Sequence, residues 1–128
     1  MRAWYDILGL DLGAGQDADG IHASAAAVEE LMAAEFAQGI APEKLILAGF
    51  SQGGVIALHL GLSFPQPLAG IMALSTYLHD PDHLAERLSL ASADLPIFMA
   101  HGVSDAMIPI SRAAASRQAR PVMPAVFP

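Results

Sequence analysis

Residues 45–58, LILAGFSQGGVIAL, constrain the fold of this chain more than any other stretch. An apolar run reaches Ser51 between two glycines, and a second apolar run leaves it. The first is short enough for a buried strand, and the second continues with helical composition to about Ser63, so the backbone must turn sharply at Ser51. Gly49-Phe-Ser51-Gln-Gly53 fits G-x-S-x-G, a pattern that holds a serine hydroxyl above the end of a sheet when a strand precedes it and a helix follows. Without that setting the pattern is weak, because a glycine-rich turn can carry a serine for structural reasons alone. With it, each position has a reason. Gly49 and Gly53 leave room for a strained turn, and Gly54 lets the helix approach the strand. The N–H of Gln52 points from the helix start toward the place where an oxyanion would form.

Two further apolar runs, Leu68–Ser75 and Leu95–Ala100, read as strands like Leu45–Phe50. Helical segments are expected over Ile21–Gln38, Gln52–Ser63 and Ser111–Arg120, with a short one starting at Asp80-Pro81. The first should bury Ile21, Val28, Leu31, Met32 and Phe36, start at a cap on Asp17 or Asp19, and end at Gly39. Strands apolar on both faces and separated by helices predict a parallel sheet covered on both sides, hence an α/β fold with about three strands. Residues 1–20 contain no strand pattern, and three prolines in 121–128 suit neither a helix nor a central strand. A three-stranded sheet leaves two exposed edges, so the reading is one incomplete domain over 1–128, prone to self-association through those edges.

Composition removes several classes of function. The net charge is −7 with six Lys and Arg in no cluster, which argues against nucleic acid as a partner. No apolar run is long enough for a membrane span, and the first residues make a poor secretory signal, so a cytoplasmic location is expected. The chain has no cysteine, which excludes a disulfide framework and a thiolate nucleophile.

A second chemical group follows the third strand, in His101-Gly-Val-Ser-Asp105-Ala-Met-Ile-Pro109. A carboxylate on a late loop, after the serine in chain order, is where this architecture keeps the acid that orients a catalytic histidine. Taken alone, Asp105 could equally be a turn residue. With GFSQGG and HGVSDAMIP both in hand, the chain resembles the phospholipase/carboxylesterase family of α/β-hydrolases, which includes acyl-protein thioesterases and bacterial carboxylesterases. Residues 2–7, 39–54, 69–75 and 95–102 look like successive family segments. The resemblance implies Ser51 as nucleophile, Asp105 as triad acid, an ester or acyl-thioester substrate, and neither metal nor cofactor. It also implies a His-Gly loop upstream and a Gly-His downstream that have no counterpart in this sequence. Very weak hydrolysis is therefore expected of this chain; the alternative is a non-catalytic fragment or interaction module on the same scaffold.

Five histidines are present as candidate substitutes for that base. His22 and His59 lie on helices and read as structural or exposed. His101 ends a strand near the serine, but its short link to Asp105 makes a relayed Ser–His–Asp geometry awkward. His79-Asp-Pro-Asp-His83 has metal-ligand residue types, yet Pro81 breaks the helical register between the imidazoles. Met72, Leu74 and Tyr77 could line an acyl pocket or belong to the core.

Overall fold

A computed structural model of the chain describes residues 3–6 and 17–118. The remnant expected at 1–20 falls mostly outside these residues, and the tail expected at 121–128 does so entirely.

The first helix, α1, spans Ala18–Ala37. Asp17 starts it, its carboxylate accepting from the Gly20 N–H at 2.8 Å, which satisfies one of the donors a helix start leaves unpaired. Gly39 ends it with φ 96° and an N–H bonded to the Phe36 carbonyl. Ile21, Ala25 and Met32 are buried, with Val28 and Phe36 packed beside them. Those positions advance by threes and fours along one stripe. Leu31, expected in the stripe, is 67% exposed: it lies one residue, about 100° of helix rotation, from Met32.

Three parallel strands follow: β1 Ile46–Phe50, β2 Gly70–Leu74 and β3 Ile97–Ala100, in the spatial order β1-β2-β3. Leu47, Ile71 and Ile97 share one row of the register, and Ala48, Met72 and Phe98 the next. Between β1 and β2 runs α2, Gln52–Ser63, in which every residue from Gly54 to Leu62 except His59 is buried. A helix apolar nearly all round must be covered on both sides. The sheet covers one side of α2 and α1 packs on α2 as well. At Gly61 an added Cβ would come within 2.5 Å of Ile71 Cδ1, so the missing side chain sets how closely α2 approaches the sheet. Full burial of a side chain such as Ile56 or Leu58 stabilises the fold by about 1.5–3 kcal/mol.

Coverage differs from the expectation of a sheet buried on both faces. Leu47, Ile71, Ala73, Ile97 and Met99 are buried under the helices. The opposite face carries Ile46, Phe50, Met72 and Phe98, and these are exposed, Phe50 by 67% and Met72 by 40%. Among the described residues the sheet is two-layered with the helices: α1 on α2, and α2 on one face.

The β2–β3 connection contains a 3-10 turn at Pro81–His83, the four-residue α3 Leu84–Arg87, and a second 3-10 turn at Leu90–Ser92. Asp80 precedes this segment but does not cap it as anticipated. Its backbone is left-handed, φ 48°, and its carboxylate turns to His83 Nδ1 at 2.8 Å instead. The last helix, α4, spans Ile110–Gln118. It is tied to the sheet side by Ser116, buried, whose Oγ accepts from the Leu78 N–H at 2.7 Å. Among the described residues no helix is long and apolar enough to cross a membrane.

Candidate active site

Ser51 sits where β1 breaks into α2, with φ 53° and ψ −120°. Such a backbone costs a non-glycine residue about 1–3 kcal/mol and persists only when its surroundings hold it. The surroundings here are specific. The Ser51 N–H donates to the Leu74 carbonyl at 2.9 Å, extending the β1–β2 ladder by one bond. The Ser51 carbonyl accepts from Gly54 N at 3.0 Å, Val55 N at 3.2 Å and the buried Thr76 hydroxyl at 2.7 Å.

The three glycines have separate reasons. A Cβ at Gly49 would lie 2.1 Å from the Gly53 carbonyl oxygen, and one at Gly54 would lie 2.6 Å from the Thr76 side chain. One at Gly53 would meet nothing nearer than Trp4 Nε1, at 3.5 Å. Gly49 and Gly54 are thus demanded by the turn itself, while Gly53 faces an indole.

Gln52 opens α2, so its N–H has no preceding helical carbonyl and lies at the positive end of the helix dipole. Its side chain has a use that the local sequence does not announce. Oε1 accepts from the Trp4 N–H at 3.3 Å and Nε2 donates to the Tyr5 carbonyl at 2.9 Å. Tyr5 in turn is buried, with its hydroxyl 3.0 Å from that of Tyr77. Burial, reinforced by this bond, pushes the Tyr5 phenol well above its usual range. Tyr77 is buried in the core, with the Arg112 guanidinium 4.1 Å from the centre of its ring. Of its two companions, Met72 is on the exposed sheet face and Leu74 is half-buried.

Asp105 lies in the loop after β3. Because all three strands are parallel, Ser51, Ser75 and His101 follow strand ends on the same rim of the sheet, the edge at which open α/β sheets bind ligands. Asp105 Oδ1 accepts from Met107 N at 2.9 Å and Ile108 N at 3.0 Å. The Ile108 and Met107 amides are the main reasons its carboxyl is held below the usual range, with His101 and the Ser75 hydroxyl adding to the effect. His101 Nε2 lies 2.7 Å from the Ile108 carbonyl oxygen, and must donate to it, while the Asp105 carboxylate is 3.8 Å away. His101 Nδ1 is buried without a hydrogen-bond partner. His101 therefore braces the loop that carries Asp105.

His22, His59 and His79 cluster around the later turns of α2. His59 packs on His22 with ring centres 5.0 Å apart and on His79 at 6.1 Å. Arg87 lies 3.0 Å from His59 Nδ1 and donates to the carbonyls of His79 and Asp80. Burial first, and the Arg87 charge second, lower the His59 pKa to about 4. Among the described residues no group of three or more His, Cys, Asp or Glu side chains is arranged to hold a metal ion.

Comparison with known proteins adds the following. The profile of the phospholipase/carboxylesterase family matches residues 1–121. Acyl-protein thioesterase 1 of Schizosaccharomyces pombe is 36% identical over 116 residues, covering 91% of this chain and 52% of that protein. The Saccharomyces cerevisiae acyl-protein thioesterase 1 is 35% identical, covering 92% and 52%. This chain thus spans about half the length of these curated relatives. Among solved structures, Arabidopsis thaliana SOBER1 superposes with a TM-score of 0.84 at 26% identity, over 98% of this chain and 62% of that one.

Proposed function

The chain belongs to the phospholipase/carboxylesterase family of α/β-hydrolases, and on that premise we propose that Ser51 is the nucleophile of carboxylic ester or thioester hydrolysis. The carrying observation is the Ser51 backbone: a non-glycine residue at φ 53° between a parallel strand and a helix, braced from β2 by Leu74 and Thr76. In this reading Ser51 Oγ attacks the scissile carbonyl. The Gln52 N–H stabilises the oxyanion, and collapse expels the alcohol or thiol and leaves an acyl-serine that water then hydrolyses. Asp105, kept ionised by two amides, orients and stabilises the histidine that takes the Ser51 proton.

Neither His101 nor His59 is free for that role. His101 is engaged with the Ile108 carbonyl, and His59 stands in the cluster with Arg87. The 128-residue chain is therefore expected to retain the turn and the acid while turning over slowly. Loss of a triad base costs on the order of 10⁴–10⁶ in kcat. Purified chain assayed on a chromogenic short-chain ester should run within about tenfold of its Ser51→Ala variant, the residual rate coming from oxyanion contacts and binding. Robust turnover abolished by Ser51→Ala would overturn this and point to His101 or a histidine supplied by a partner. A second reading, a non-catalytic module on the same scaffold, is favoured by the engagement of His101 with the Ile108 carbonyl.

A further inference from the structure

We propose that the Gln52 carboxamide is a positioning residue that holds Trp4 beside Ser51, where the indole forms a wall for an apolar acyl group. The clamp stands on geometry alone; the acyl wall rests on the reading of Ser51 as nucleophile.

Residues 3–6 belong to no helix or strand, yet Trp4, Tyr5 and Asp6 are each fastened. Gln52 takes the Trp4 N–H and gives to the Tyr5 carbonyl. A primary amide is the side chain that can offer an acceptor and a donor side by side, and so reproduce the pairing of a neighbouring strand. The Ser24 hydroxyl donates to the Trp4 carbonyl, the Asp6 N–H donates to Asp17 Oδ2 at 3.2 Å, and the Tyr5 and Tyr77 hydroxyls are bonded. The segment is thereby tied to the nucleophile turn, to the start of α1, and to the loop after β2.

What this fastening presents is the informative part. Tyr5 is 6% exposed and anchors the segment, whereas its neighbour Trp4 is 48% exposed. Its indole faces Gly53, two residues from the nucleophile, with Nε1 3.5 Å from where a Cβ would stand. A large aromatic ring held in place but left half uncovered loses burial energy that the core could have used. A rigid aromatic face next to a reactive hydroxyl recovers it by packing against a ligand. Gly53, which the turn does not require, then has a reason of its own: it keeps the ground between the indole and Ser51 clear.

The chain has one tryptophan, so its emission reports this position without interference. In the 128-residue chain, Gln52→Ala removes both bonds, and Gln52→Glu keeps an acceptor for Trp4 while losing the donor to Tyr5. Both variants should move Trp4 emission to the red and raise its quenching by acrylamide, Gln52→Ala more, with far-UV circular dichroism unchanged. Should Gln52→Ala fail to fold, Gln52→Glu carries the comparison. Titrated with methyl decanoate, the unaltered chain should show a saturable blue shift that methyl acetate does not produce, with an apparent Kd raised about fivefold in Gln52→Glu. Identical emission and quenching in the variants would overturn the clamp. An indole that does not respond to methyl decanoate, or an equal Kd in Gln52→Glu, would overturn the wall. The Ser51 hydroxyl takes no part in the clamp, so Ser51→Ala should leave the Trp4 signal in place whichever way the ester assay falls.

Discussion

At the scale of single residues, the turn around Ser51 separates glycines that look alike in the sequence. Gly49→Ala drives a carbon into the Gly53 carbonyl and Gly54→Ala drives one into the Thr76 side chain. Backbone and a buried threonine cannot step aside, so each should lose about 1–3 kcal/mol or more. Gly53→Ala meets only ordinary contact with Trp4 and should stay within about 0.5 kcal/mol of the unaltered chain. Urea unfolding of the three variants checks the order, and equal losses at all three would contradict it. Ser51, Gln52 and Asp105 were each legible as candidates because the G-x-S-x-G pattern and the acid after the third strand are local. The braces on them were not. Thr76 reaches the Ser51 carbonyl from 25 positions away, and Gln52 reaches Trp4 across 48. A single sequence holds no sign that such distant polar groups meet.

At the scale of elements, α1 was readable from its apolar stripe and its end at Gly39, and α2 from its length after the turn and the prolines beyond Ser63. Which sheet face they cover was not readable. Ile46, Phe50, Met72 and Phe98 are as apolar as the residues beneath the helices, so every strand looked buried on both sides. One element carries a pH dependence. His59, on α2, has its pKa lowered from 6.5 to about 4 by burial, then by Arg87, His22 and His79. As pH falls below 6.5 the unfolded chain gains this proton while the folded chain does not, so stability is complete above 6.5 and drains away toward 4. Discounted for its partial exposure, the loss should be about 1–2 kcal/mol. Urea midpoints at pH 7.5 and pH 4.5, compared with those of His59→Asn, read it out: the variant should lose less stability on acidification. His79, also shifted downward by burial and then by Arg87, keeps the variant from becoming fully insensitive. An unchanged acid response in His59→Asn would sink the assignment.

At the scale of the whole molecule, the exposed apolar face of the sheet is expected to govern the behaviour of the 128-residue chain in solution. Met72 and Phe98 are register partners in the row of Ala48, with Ile46 and Phe50 two positions to either side on β1, and β1 and β3 are the sheet's edges among the described residues. A contiguous apolar patch beside open strand edges favours a second copy of the same surface. Light scattering behind size exclusion should report a mass above the 13.3 kDa of one chain, with Phe50→Asp combined with Phe98→Lys shifting it back. A single-chain mass for the unaltered protein would refute this. The α/β class itself was plain from three apolar runs alternating with helical stretches, and the match to the family over residues 1–121 agrees with it. The tether from Tyr5 to Tyr77 has one more implication. It closes a loop of 72 positions, so its ordering cost is larger than that of the ties to Asp17 and Ser24, which span 11 and 20. None of the strand register contacts involves residues 3–6, so the sheet does not need that tether in order to pair. A protease present early would trim the segment bearing Trp4 well before it could cut the sheet.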